Sequence, residues 1–129
     1  AAAHEALDKA KASKRRLAQS DFGLGAIAYF RREDASATSR LKLVLYEDPS
    51  IDAAYLFAAE LDRARDPEKA LETAQQAVAY NPDSVDGWKM VGTIAAALPR
   101  HRKLLDQAIT RVNDLAPNSD ALHQLQKLK

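Results

Sequence analysis

The 129 residues include no cysteine, which excludes disulfides and thiolate metal sites. Without that marker the compartment stays open, since a cysteine-free helical chain suits the cytosol as well as the periplasm. Four glycines and five prolines are too few for a turn-rich β protein. Nor does any stretch alternate apolar with polar residues long enough to read as a half-buried strand. Long hydrophobic runs are missing too. The longest, Gly23–Phe30 and Val91–Leu98, fall far short of a bilayer span, so no membrane insertion is expected. Aromatic residues make up only 6%, whereas hydrophobic residues reach 47% because alanine supplies many of them. The chain begins at Ala1 rather than methionine and reads as a fragment or processed form of a larger or anchored protein.

Neither sign of charge dominates, and the net is +1. Its distribution is uneven: residues 1–42 hold nine Lys/Arg against five Asp/Glu, and residues 43–129 hold ten against thirteen. The one basic cluster is Lys9, Lys11, Lys14, Arg15 and Arg16. Glu5 and Asp8 stand within helical reach of it, so we read a solvated, pair-laced face and expect no nucleic-acid partner. Attachment to an anionic surface is the alternative.

What is present is a repeated phrase. Ala70, Ala74, Ala77 and Pro82 recur upstream as Ala37, Leu41, Val44 and Pro49, and downstream as Leu105, Ile109, Val112 and Pro117. Each copy keeps offsets of four, three and five, and successive prolines lie 33 and 35 residues apart. A period of roughly 34 residues is that of a helical solenoid. Start and stop signals divide the chain into eight helices. The first fills residues 1–19, and Ser20-Asp21 caps a second running to about Arg32. Asp34 caps the third, to Glu47, and the fourth runs from Ile51 to about Arg65. Asp66-Pro67-Glu68 then combines a capping acid, proline at the first helical position and an acid at the positive helix end. Further helices run from Val85 to about Ala97, from Arg100 to Leu115, and past Ser119.

These residues resemble the tetratricopeptide repeat. The family's Leu-Gly element appears as Leu24-Gly25, Phe57-Ala58 and Val91-Gly92, and Trp88 falls where the family places its tryptophan. Ala54 and Asp21 fill that place in the other copies. The resemblance implies an all-α superhelix, right-handed, of about three hairpins: 18–50, 51–84 and 85–118. A partial repeat or N-terminal helix (1–17) precedes them and a capping helix (119–129) follows. One extra residue around Leu98–His101 is expected to splay the third hairpin.

No chemistry accompanies the array. Asp21-Phe22-Gly23 and Gly23/Gly25 are fragments of nucleotide-site motifs without their context. His4, His101 and His123 are scattered, and Asn81–Gly87 fails as a calcium loop because Gly92 stands where the bidentate acid belongs. No catalytic residue, cofactor or metal site is nominated. An array of this kind presents a surface, and its function is what that surface holds. The resemblance implies that the first helix of each hairpin lines a concave groove for a peptide or helix of another protein. The groove residues carried over are Phe22, Ala26 and Tyr29, then Asp52, Tyr55, Ala59, Asp62 and Arg63, then Asp86, Lys89, Thr93 and Ala96. Phe30 is shared between groove and inter-hairpin packing; Trp88 is assigned to the core. A clamp for chaperone C-termini is not expected, because Phe22, Ala26, Tyr55 and Ala59 replace its lysines and asparagines. The rival reading is a scaffold that oligomerises by docking a terminal helix in a neighbour's groove.

Overall fold

A computed structural model describes residues 2–129, except the side chain of Lys11. Among them are seven α-helices and no strand: α1 (Ala2–Phe30), α2 (Asp34–Glu47), α3 (Asp52–Arg63), α4 (Pro67–Tyr80), α5 (Val85–Ala96), α6 (Arg102–Leu115) and α7 (Asp120–Gln126). The expected eight helices are seven because α1 runs unbroken through Ser20-Asp21. A cap functions only where the chain leaves helical geometry, and no proline interrupts α1 on either side of this site. Asp21 instead accepts a 3.0 Å hydrogen bond from the Arg40 guanidinium on α2. Asp34 likewise begins α2 rather than capping it; Glu33 is the N-cap and makes no side-chain cap bond.

Three other starts form as the sequence indicates. Asp66 accepts from the Lys69 amide, Ser84 from Gly87 and Ser119 from Leu122, at 3.2, 2.9 and 3.2 Å. At the end of α1, Arg32 turns into the left-handed region (φ 59), and the Glu33 amide reaches back to the Ala28 carbonyl at 2.9 Å.

α1/α2, α3/α4 and α5/α6 are the three hairpins, and α7 packs on both α5 and α6. The first helices α1, α3 and α5 also approach one another in sequence. Among the described residues no such approach joins α2 to α4 or α4 to α6. The array therefore bends with its first helices on the inside.

The core has two parts. The larger joins α3–α7 around Leu71, Val91, Ile94, Leu105 and Leu125, with Ala70 and Ala74 fully buried between paired helices. Trp88 belongs to it, and its Nε1–H donates to the Pro82 carbonyl at 2.7 Å. The smaller part comprises Leu41, Val44 and Ala54, with Phe22, Ile51 and Phe57 against them. At the Leu-Gly elements the helices come closest. A Cβ on Gly92 would lie 3.0 Å from the Ala108 Cβ and 2.7 Å from Leu125 Cδ2; on Gly25 it would lie 3.2 Å from the Arg40 Cβ. The third hairpin is accordingly closed rather than splayed. Its extra residue is absorbed in a 3-10 turn, Pro99–His101, which Glu68 holds through Arg100 (2.8 Å) and His101 (2.9 Å).

Candidate groove

Two recesses open along the inner helices. One, of about 450 Å³, is lined by Tyr29 of α1, by Ala53, Leu56, Phe57 and Glu60 of α3, and by Met90 of α5. The other, of about 320 Å³, adds Arg63, Asp86, Lys89 and Thr93 to Leu56, Glu60 and Met90. Because they share those three residues, they form one trough crossing α1, α3 and α5. Its apolar end is walled by aromatic rings converging on Phe57. Tyr29 meets it edge-on at 4.7 Å between centroids, and Phe22 and Phe30 lie at 5.8 and 5.9 Å. Phe30 contributes an edge yet stays 73% exposed. Its polar end alternates sign, with Glu60 and Arg63 paired at 3.5 Å and Asp86 and Lys89 facing them from α5.

The sequence-derived groove residues separate into three groups. Tyr29, Arg63, Asp86, Lys89 and Thr93 line the trough, and Phe22 backs its aromatic wall. The Thr93 hydroxyl donates to the Lys89 carbonyl at 2.7 Å. Tyr55 and Ala59 are buried, at 3% and 0% exposure, and present no side chain to a ligand. The Tyr55 ring stacks on Tyr80 at 6.0 Å. Burial, reinforced by Tyr80 and Asp48, pushes its phenol up to about 12, so it remains neutral. The others lie outside the lining. Asp52 Oδ2 accepts from the Ser84 hydroxyl at 2.6 Å, in a separate recess with Tyr80, Pro82 and Asp83. Asp62 closes α3, its carbonyl accepting from Arg65 and Asp66 at 3.0 and 2.7 Å. Ala26 is half-buried on α1, and Ala96 packs against the larger core.

Ala53, Leu56, Glu60 and Met90 were not anticipated. On α3 the lining is shifted by one residue from the carried-over register, because the Tyr55 ring turns against Tyr80 and brings Leu56 round to the trough. Met90, the chain's single methionine, carried a usable signal: a flexible apolar side chain suits adaptable surfaces.

Lys9, Lys14, Arg15 and Arg16 are exposed on α1, and the Lys11 side chain lies outside the described residues. Among the described residues, no three His, Cys, Asp or Glu stand together as metal ligands, and no helix is long and apolar enough to cross a membrane.

No family model and no curated protein matches the sequence. Solved structures do. The TPR domain of Arabidopsis OM64 superposes with a TM-score of 0.75 at 14% identity, over 88% of this chain and 94% of that one. The first TPR domain of human RPAP3 also gives 0.75, at 20% identity over 88% and 91%. The fold is that of a tetratricopeptide-repeat domain. It is an α-α solenoid, and the small Leu-Gly positions, the Trp88 core and the Pro-ended second helices are its structural signature here.

Proposed function

We propose that this tetratricopeptide-repeat domain is a non-enzymatic protein-binding module. It takes a peptide or helix of a partner protein along the trough of α1, α3 and α5. The observation that carries this reading is the continuity of the trough. An apolar, aromatic-walled recess runs into one edged by charges of both signs. An apolar side chain of the partner seats against Leu56, Phe57 and Met90, where desolvation supplies affinity. Asp86, Lys89 and Arg63 orient the segment from the edge, setting specificity and register more than strength.

Selection from a displayed peptide library tests this. Wild-type chain should enrich segments with a shared apolar anchor, and Met90→Glu should lose them. Lys14→Glu with Arg15→Glu should leave them bound. The reverse pattern, with salt-sensitive binding to anionic vesicles, would replace the trough with the basic surface of α1.

A further inference from the structure

The first hairpin departs from the other two at one matched pair of places. Two residues before each closing proline, the second helices carry Glu47, Tyr80 and Leu115. The place that Trp88 holds in α5 is taken by Ala54 in α3 and by Asp21 in α1. The second and third hairpins thus have apolar or aromatic side chains at both places, and the first has two carboxylates. Arg40 and Glu47, seven residues apart, share one face of α2. Asp21 reaches both from α1, accepting from Arg40 at 3.0 Å and standing within hydrogen-bonding reach of Glu47. Its side chain is only 13% exposed. Glu47 is half-buried, but its Oε2 is shut off from solvent and meets no donor among the described residues. Two carboxylate oxygens within reach can bond only if one of them carries a proton. We propose that Asp21 and Glu47 share one proton and form a pH-sensitive latch that closes α1 onto α2.

Arg40 donates to Asp21 and not to Glu47, so the proton resides on Glu47, whose O–H donates across to Asp21. The surroundings supply no substitute for it. Lys14, Arg15 and Arg16 of α1 and Lys42 of α2 are exposed, and among the described residues none pairs with Glu47. Asp48 turns away to accept from the Ser50 amide and hydroxyl at 3.1 and 2.6 Å. From α3, Ala54, Ala58 and Leu61 pack into the small core with α2, and Asp52 is engaged with Ser84. Burial first, then the hydrogen bond with Asp21 and its charge, push the Glu47 carboxyl above its ordinary value of 4.5. A carboxyl raised on folding stabilises fully below its ordinary value. That contribution is lost as pH rises through the folded-state value. The latch is therefore shut in acid. Once the proton leaves, two like charges face each other across α1 and α2 with a single guanidinium between them. Ala18, one turn before Asp21, is the first buried residue of α1. The latch thus sits where α1 first becomes attached to the array.

NMR titration of the full chain, following the Glu47 carboxyl carbon, is the test. Its midpoint should lie above 4.5 in the wild type. In Asp21→Asn it should fall, because the like charge is gone and an amide N–H can donate to Glu47. Amide hydrogen exchange reads the latch itself. Opening of α1 and α2 relative to α5 and α6 should increase as pH passes the midpoint. The increase should reach up to about tenfold for each pH unit that separates the midpoint from 4.5. Glu47→Gln keeps a donor toward Asp21 and should hold that ratio constant, with unchanged helicity. A midpoint at or below 4.5, a midpoint indifferent to Asp21→Asn, or a ratio that responds to pH equally in Glu47→Gln would overturn the proposal.

Discussion

The two ends of this solenoid are finished differently. At the C-terminus α7 lies across α5 and α6, burying Leu122 and Leu125, and the Leu125 methyl sits where a Gly92 side chain would be. Among the described residues, none packs on the side of α1 that carries Leu17, Leu24 and Ile27. The first buried residue of α1 is Ala18, and Leu17, Leu24 and Ile27 remain open to solvent. The same repeat chemistry therefore yields a closed end with a large contiguous core and an open end with a small one. In a solenoid each hairpin is stabilised by its neighbours, so the open end has the weaker internal support. The surplus of positive charge falls on that open end as well.

Substitutions at matching places in the two halves sharpen or break this contrast. The largest effect belongs to the closed end. Trp88→Ala removes a buried ring and should cost about 3–5 kcal/mol, and Leu125→Ala about 2–5 kcal/mol, by urea unfolding. Leu24→Ala at the open end should stay within about 0.5 kcal/mol. Comparable losses at Leu24 and Leu125 would mean that the N-terminal hairpin is covered. Next come the Leu-Gly glycines. Gly92→Ala overpacks against Ala108 and Leu125 and should cost about 1–3 kcal/mol. Gly25→Ala meets Arg40 less closely and gains about 1 kcal/mol of helix propensity, so its unfolding midpoint should hardly move. Arg32→Gly relieves a left-handed backbone at the end of α1 and should stabilise by up to about 1 kcal/mol.

The smallest effect is pH-dependent. Hydrogen bonds from Arg100, and secondarily from His101, hold the Glu68 carboxyl below its ordinary value of 4.5. Its contribution is then fully present above the unfolded-state value and fades as pH falls through the lower folded-state value. The ion pair is exposed, so the contribution is small. Glu68→Gln should flatten that part of the acid limb, and an unchanged limb would show that the 3-10 turn is held by packing alone.

Much of the fold was legible because it repeats. The proline spacing, the caps at Asp66, Ser84 and Ser119, and the buried alanines of α4 are local signals with a single reading. Ser20-Asp21 misled because a capping residue marks a possible helix start without breaking the helix before it. The trough was legible only in part, because lining depends on helix rotation, which the sizes of neighbouring side chains decide. Lys89 and Thr93 kept the repeat's register on α5. On α3, Tyr55 found Tyr80 from the end of α4, a pairing within one hairpin that an alignment of hairpins does not reveal. Tyr55 thereby becomes a residue whose loss should lower stability rather than affinity.

Met90 offers the most direct measurement, because as the single methionine its labelled methyl gives one NMR resonance from the middle of the trough. Titrating a selected peptide should move that resonance to a saturable endpoint, with the same affinity in the Leu24→Lys chain as in the wild type. A Met90 methyl that stays still while the peptide saturates the protein would place the binding surface elsewhere and contradict the trough as the site.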